Sequence, residues 1–150
     1  MAAKGRFIPK NPQKYVGRAV QNIFYRSSWE VAFMKWLDAN PAVLRWASEE
    51  LAIPYIHPKD GRIHQYYPDI IMILKDASNQ IRKKIIEIKP YKETVPTPGM
   101  SPRDAEALIV NRAKWEAATA YAQKNDATFE VLTEKEMFKQ RPKKKVGSTT

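Results

Sequence analysis

The chain has 150 residues, 43% of them hydrophobic, no cysteine and a formal charge of +10. That length suits one domain with a real core and argues against two. The missing cysteine excludes disulfides and thiolate metal sites, and no apolar run approaches the ~20 residues of a membrane span.

Charge is segregated along the chain. Residues 1–29 carry six bases and no acid, and residues 135–150 carry a net +5, which leaves −1 for residues 30–134. Basic segments flanking a near-neutral body suit a polyanion, because each neutralised phosphate releases a condensed counterion. Solvated ends that only aid solubility are the plainer reading. Neither end has a sustained amphipathic pattern, so no membrane partner is expected. Met1 to Phe7 lack the apolar core of a signal peptide, and an intracellular protein is expected.

Residues 1–26, with Pro9, Pro12 and scattered bases, show no periodicity and read as a basic extended arm. Ser27-x-x-Glu30 is a capping box, and Trp29, Phe33, Trp36 and Leu37 follow at helical spacing, which predicts a helix ended by Asn40-Pro41. The tryptophans Trp29, Trp36 and Trp46 are assigned to the core. Strand-like runs follow at residues 43–46 and 51–56, then an Asp60-Gly61 turn and an alternating stretch over 62–66. Residues 70–74 and 84–89 read as two strands joined by the turn Asp76-Ala77-Ser78-Asn79.

A Pro/Thr-rich loop spans 91–102. Ser101-Pro102 then starts the longest helix, to about Lys124, with Ala105, Leu108, Ile109, Ala113, Ala117, Ala120 and Tyr121 on one side. Phe129–Leu132 makes a last strand, and Thr133-x-x-Glu136 caps a short final helix. The expected organisation is an arm (1–26), a domain (27–140) and a basic tail (141–150). The expected fold is α/β or α+β, a mixed sheet flanked by helices.

Two ionised groups interrupt the strand-like runs. Asp69 follows Pro68 and precedes five apolar residues, and Glu87 lies among Ile85, Ile86 and Ile88, with Lys89 next. Charges there are costly unless something pairs with them. Glu87 and Lys89, two apart, share a strand face, while Ile86 and Ile88 take the other. A turn centred on Ser78 places Asp69 opposite Glu87. Centred half a residue earlier, it pairs Asp69 with Ile86 on the wrong face. Sequence leaves both registers open.

Two facing carboxylates repel, and a divalent cation removes the conflict. Oxygen ligands favour Mg²⁺ or Mn²⁺ with positions left for water and phosphate. Lys89 as a cation needs no pKa shift to orient an attacking water or offset developing phosphate charge. The plainer alternative is a strand salt bridge, with Asp69 merely opening its strand.

Pro68-Asp69…Glu87-Ile88-Lys89 resembles the PD-(D/E)XK nuclease superfamily. With Tyr25–Glu30, Trp36–Pro41, Ile53-Pro54-Tyr55, Lys114–Ala118 and Leu132-Thr133-Glu134, the chain is similar to the head completion nucleases of T-even-type phages, and more distantly to TnsA-like transposon endonucleases. The resemblance covers about residues 6–138. It implies a restriction-endonuclease-like fold and a metal-dependent DNA endonuclease leaving a 5′-phosphate. Asp69 and Glu87 would be metal ligands, Lys89 a catalytic residue, and Glu30 on the first helix a further catalytic acid completing the metal shell.

Glu30 also has a structural reading as the capping-box acid, and a carboxylate folded onto its helix start is poorly placed to reach a metal. The phage resemblance further implies action on packaged double-stranded DNA before tail attachment, in the host cytoplasm or the virion, beside portal or neck proteins. A non-catalytic DNA-binding head-closure protein and a cellular repair or junction-resolving nuclease are the competing readings. Lys92, Lys114, Arg141, Lys143, Lys144 and Lys145 are candidate DNA contacts through phosphate. His57 and His64, flanking the Asp60-Gly61 turn, are assigned structural roles, and Tyr66-Tyr67 are assigned to packing.

Overall fold

The computed structural model describes residues 3–137. Its central sheet has four strands in the order β3 (Val43–Ser48), β6 (Ile70–Lys75), β7 (Ile81–Ile88) and β8 (Ala127–Leu132). Pairing is antiparallel from β3 to β6 to β7, and parallel from β7 to β8. A parallel neighbour needs a long crossover, which α2 (Pro102–Lys124) supplies. Two hairpins complete the strands: β1 (Gly5–Phe7) with β2 (Ile23–Tyr25), and β4 (Ile53–Ile56) with β5 (Ile63–Tyr66). With α1 (Ser28–Ala39) and α3 (Glu134–Met137), this is the mixed sheet flanked by helices that the sequence predicts.

Local chemistry sets the helix ends. Ser27 Oγ accepts the Glu30 N–H at 3.1 Å and starts α1, and Ser101 Oγ accepts the Asp104 N–H at 3.1 Å with Pro102 in the first turn of α2. Thr133 and Glu136 form the expected reciprocal cap: Glu136 Oε1 accepts from Thr133 N–H at 2.6 Å. The apolar seam of α2 largely follows the expected one: Leu108 is buried, and Ala113, Ala117 and Tyr121 pack on the second core with buried Ala118. Ile109 and Ala120 are exposed, and Ala122 is buried in addition, because the helix rests on β4 and β8. Trp36 also departs from expectation. It stacks on Phe33 at the helix surface and stays 45% exposed, whereas Trp46 is fully buried.

Residues 3–26 are not a free arm. Phe7, Tyr15 and Ile23 lie in the main core, where Phe7 and Tyr15 pack edge-on against Trp46. Asp38, buried in α1, accepts backbone N–H bonds from Lys10 (2.8 Å) and Asn11 (3.0 Å). Lys14 Nζ donates to the carbonyls of Leu37, Asp38 and Asn40, acceptors at the end of α1 that the helix's own ladder does not fill. Arg18 pairs with Glu50 and Arg26 with Glu49. Three of the six N-terminal bases thus serve this chain's own groups. Missing periodicity misled here because short strands and 3-10 turns pack single anchors instead of a stripe.

Ile23→Ala should therefore cost about 2–5 kcal/mol in urea unfolding, as for other buried large-to-small changes. No measurable loss would restore the arm. The basic tail at 141–150 and the last residues of the expected domain lie outside the described residues.

Candidate active site

The β6–β7 hairpin sets the site. Ile70 faces Ile86 and Lys75 faces Ile81, so the turn is centred on Ser78. Continued by one residue, that register brings Asp69 opposite Glu87, the first of the two alternatives. Alternation along β7 does the rest. Ile86 and Ile88 enter the core under α1, and Glu87 turns to the side of the β4–β5 hairpin, where its carboxylate meets Tyr66.

Each acid is gripped by one oxygen. Asp69 Oδ2 accepts the Ile88 N–H at 2.7 Å, and Glu87 Oε1 accepts the Tyr66 hydroxyl at 2.5 Å. Lys89 Nζ lies 3.9 Å from Glu87 Oε2. Asp69 Oδ1 and Glu87 Oε2 have no hydrogen bond to the described residues. These two oxygens are where a hard cation would be held, and Lys89 is the sole ammonium in ion-pair range of either acid among the described residues.

Electrostatics at the two acids favour a positive charge there. Burial, then the neighbouring Glu87 charge, pushes the Asp69 carboxyl up to about 8, despite the Ile88 N–H and Lys89. Burial also raises Glu87, opposed by Tyr66, Lys89 and Lys114. Burial and Glu87 drive the Tyr66 phenol far above its ordinary range, so it stays a donor. A buried and a half-buried acid with one lysine in ion-pair range remain short of positive charge.

Glu30 is engaged at the start of α1. Its Oε1 accepts the Arg26 N–H at 3.0 Å, one residue before the helix cap, yet its charge reaches Asp69 and Glu87 and raises both. Lys114, half-buried on α2, lies over the rings of Tyr55 (5.9 Å) and Tyr66 (5.8 Å) and its charge reaches Glu87. Lys92 is exposed on a 3-10 turn just past the motif. Arg141, Lys143, Lys144 and Lys145 lie outside the described residues.

Sequence reading missed two participants. Tyr66 is indeed packed, but its hydroxyl is committed to Glu87, whereas Tyr67 is exposed. The signal was its place two residues before Pro68 on the inward face of a short strand. Glu49 is the other: its N–H bonds the Asp69 carbonyl at 3.1 Å while its backbone sits at φ 54°, a costly region for a side-chain-bearing residue. Its carboxylate holds Arg26, and both residues line a cavity of about 500 Å³ beside Lys4, Arg18 and Glu50.

The chain belongs to the TnsA-like endonuclease N-terminal family, whose model matches residues 40–134. It is accordingly a nuclease. The match spans Asp69, Glu87, Lys89 and Lys114 and stops short of Glu30. Among curated proteins, the chain is 41% identical to the head completion nuclease of Enterobacteria phage T4 over 144 residues, covering 89% of this chain and 93% of that protein.

Proposed function

We propose that the chain is a Mg²⁺- or Mn²⁺-dependent endodeoxyribonuclease of the PD-(D/E)XK type. It hydrolyses phosphodiester bonds of packaged double-stranded DNA during phage head completion, before tail attachment. The carrying observation is the convergence of Asp69, Glu87 and Lys89 at one end of the β6–β7 pair, with Glu87 buried, Asp69 half-buried and the pair short of positive charge. Family membership and the name of the T4 relative support the same reading.

Asp69 and Glu87 would hold the ion through Oδ1 and Oε2, and the ion when bound polarises the scissile phosphate and acidifies a water. Tyr66 and the Ile88 N–H keep the two carboxylates from rotating away. Lys89 orients the attacking water and offsets charge on the phosphate oxygens. Glu30 completes the shell on exchanging its Arg26 bond for the ion. Lys92, Lys114 and the bases Arg141, Lys143, Lys144 and Lys145 contact DNA phosphates. The working compartment is the host cytoplasm during assembly, with portal or neck proteins as neighbours.

The test is incubation with linear, supercoiled and branched DNA, with EDTA, Mg²⁺ or Mn²⁺. Cutting of linear and supercoiled DNA only with a divalent ion is expected. Binding without cutting under every condition would overturn the enzyme reading in favour of a head-closure protein. Preference for branched DNA would move it to junction resolution.

A further inference from the structure

The chain has two histidines, and the fold brings both to one place. His57 leaves β4 and His64 lies in β5, with ring centroids 4.5 Å apart. Asp60, in the turn between them, puts Oδ2 2.9 Å from His64 Nε2. One ligand atom from each of the three lies within 4.8 Å of the others. Such spacing lets a single ion reach all three.

The frame is held independently of any ion. His57 N–H bonds Arg62 O at 2.8 Å, and Gly61 N–H bonds His57 O at 2.8 Å, with Gly61 at φ 69° closing the turn. Asp60 Oδ1 accepts the Arg62 N–H at 2.8 Å, which leaves Oδ2 toward His64. The buried Tyr55 ring packs on both imidazoles, at 6.0 and 5.9 Å, so both rings are half-covered. Lys59, within the same turn, ties the hairpin to Glu106 of α2 at 3.0 Å.

We propose that His57, Asp60 and His64 form a second metal site for a borderline cation of the Zn²⁺ type, with water as fourth ligand. Two imidazole nitrogens and one carboxylate oxygen suit tetrahedral Zn²⁺, whereas the acid pair at Asp69 and Glu87 offers the all-oxygen set that Mg²⁺ prefers. On binding, His64 changes tautomer through solvent: Nε2 gives up the proton it directs at Asp60, Nδ1 takes one up, and the ion takes the vacated place on Nε2. The role is structural. His64 is two residues from Tyr66, which holds Glu87, so the ion would pin the hairpin that braces the catalytic side of the sheet.

Cobalt(II) titration of the metal-free full chain tests this directly, because four-coordinate Co²⁺ absorbs intensely in the visible. One equivalent should give that spectrum, and Zn²⁺ should bleach it and raise the melting temperature. His57→Ala/His64→Ala should weaken binding about tenfold or more, as should Asp60→Asn, which preserves the acceptor for Arg62. Glu87→Gln should leave the spectrum intact, whatever it does to cleavage. Absence of the four-coordinate spectrum overturns the proposal. So does its persistence in variants that circular dichroism shows to be folded, or its loss in Glu87→Gln alone.

Discussion

Glu87→Gln is expected to leave DNA binding unchanged and to slow metal-dependent cleavage by about 10³-fold or more, the upper end for loss of one preorganised electrostatic group. The substitution is isosteric, and its amide oxygen still accepts from the Tyr66 hydroxyl, so packing survives. What disappears is one negative charge facing Asp69. Mg²⁺ affinity should fall with it, because the ion loses one of its two carboxylates.

Lys89→Met makes the contrast. Its Nζ lies 3.9 Å from Glu87 Oε2, within reach of that acid, and an ammonium is not one of the oxygens that would hold the ion. Removing that charge should cost about 10²–10³-fold in the rate of a single turnover. Mg²⁺ affinity should hold or rise, because Lys89 competes for the same acids. Single-turnover cleavage of a labelled duplex across a Mg²⁺ series separates the two effects. If Lys89→Met lost only metal affinity, restored by saturating Mg²⁺, its role would be structural support of the acids and not the reacting phosphate.

How legible this site was depends on which forces place each residue. The two acids and the lysine were readable because strand alternation is strict and charge among isoleucines is conspicuous. The register was not readable, since turns centred on Ser78 or half a residue earlier suit the same sequence; backbone pairing from Ile70–Ile86 to Lys75–Ile81 settles it. The place of Tyr66 before Pro68 marked it as inward-facing, but its pairing with Glu87 needed the β4–β5 hairpin to fold across the sheet, which is a tertiary fact. The N-terminal segment misled for a related reason. Its bases looked like free charge, yet Lys14 caps α1 and Asp38 holds Lys10 and Asn11 through backbone contacts that composition does not encode. Trp36 shows the converse, a large apolar residue at helical spacing that the fold leaves at the surface.

The metal-free protein is expected to lose stability as pH rises from about 5 to about 8, and Asp69→Asn to remove much of that loss. An aspartate in the unfolded chain ionises near 4. Folded Asp69 holds its proton to about 8, because burial and the Glu87 charge disfavour the anion. Between those limits the native state carries a proton that the unfolded state lacks. Unfolding then releases it, so the free energy of unfolding falls with rising pH, by at most about 1.4 kcal/mol per pH unit for one proton. Stability from this group is complete on the acid side and gone above the folded value.

Glu87 is raised too and adds slope of the same sign. Exposed acids held below their ordinary range, Asp60 and Asp76, act oppositely, but they titrate below the window from 5 to 8. Asparagine at 69 keeps an oxygen for the Ile88 N–H and cannot ionise, so at pH 8 it should stabilise the metal-free chain by a few kcal/mol. Mg²⁺ should supply the same relief to the wild type and little to the variant, since the ion replaces the proton as the charge between the acids. Urea unfolding in EDTA at pH 5 and 8, for both proteins, decides it. A wild type as stable at pH 8 as at pH 5, with Asp69→Asn no better, would mean that the acids are not held in conflict and that the site has no electrostatic demand for a cation.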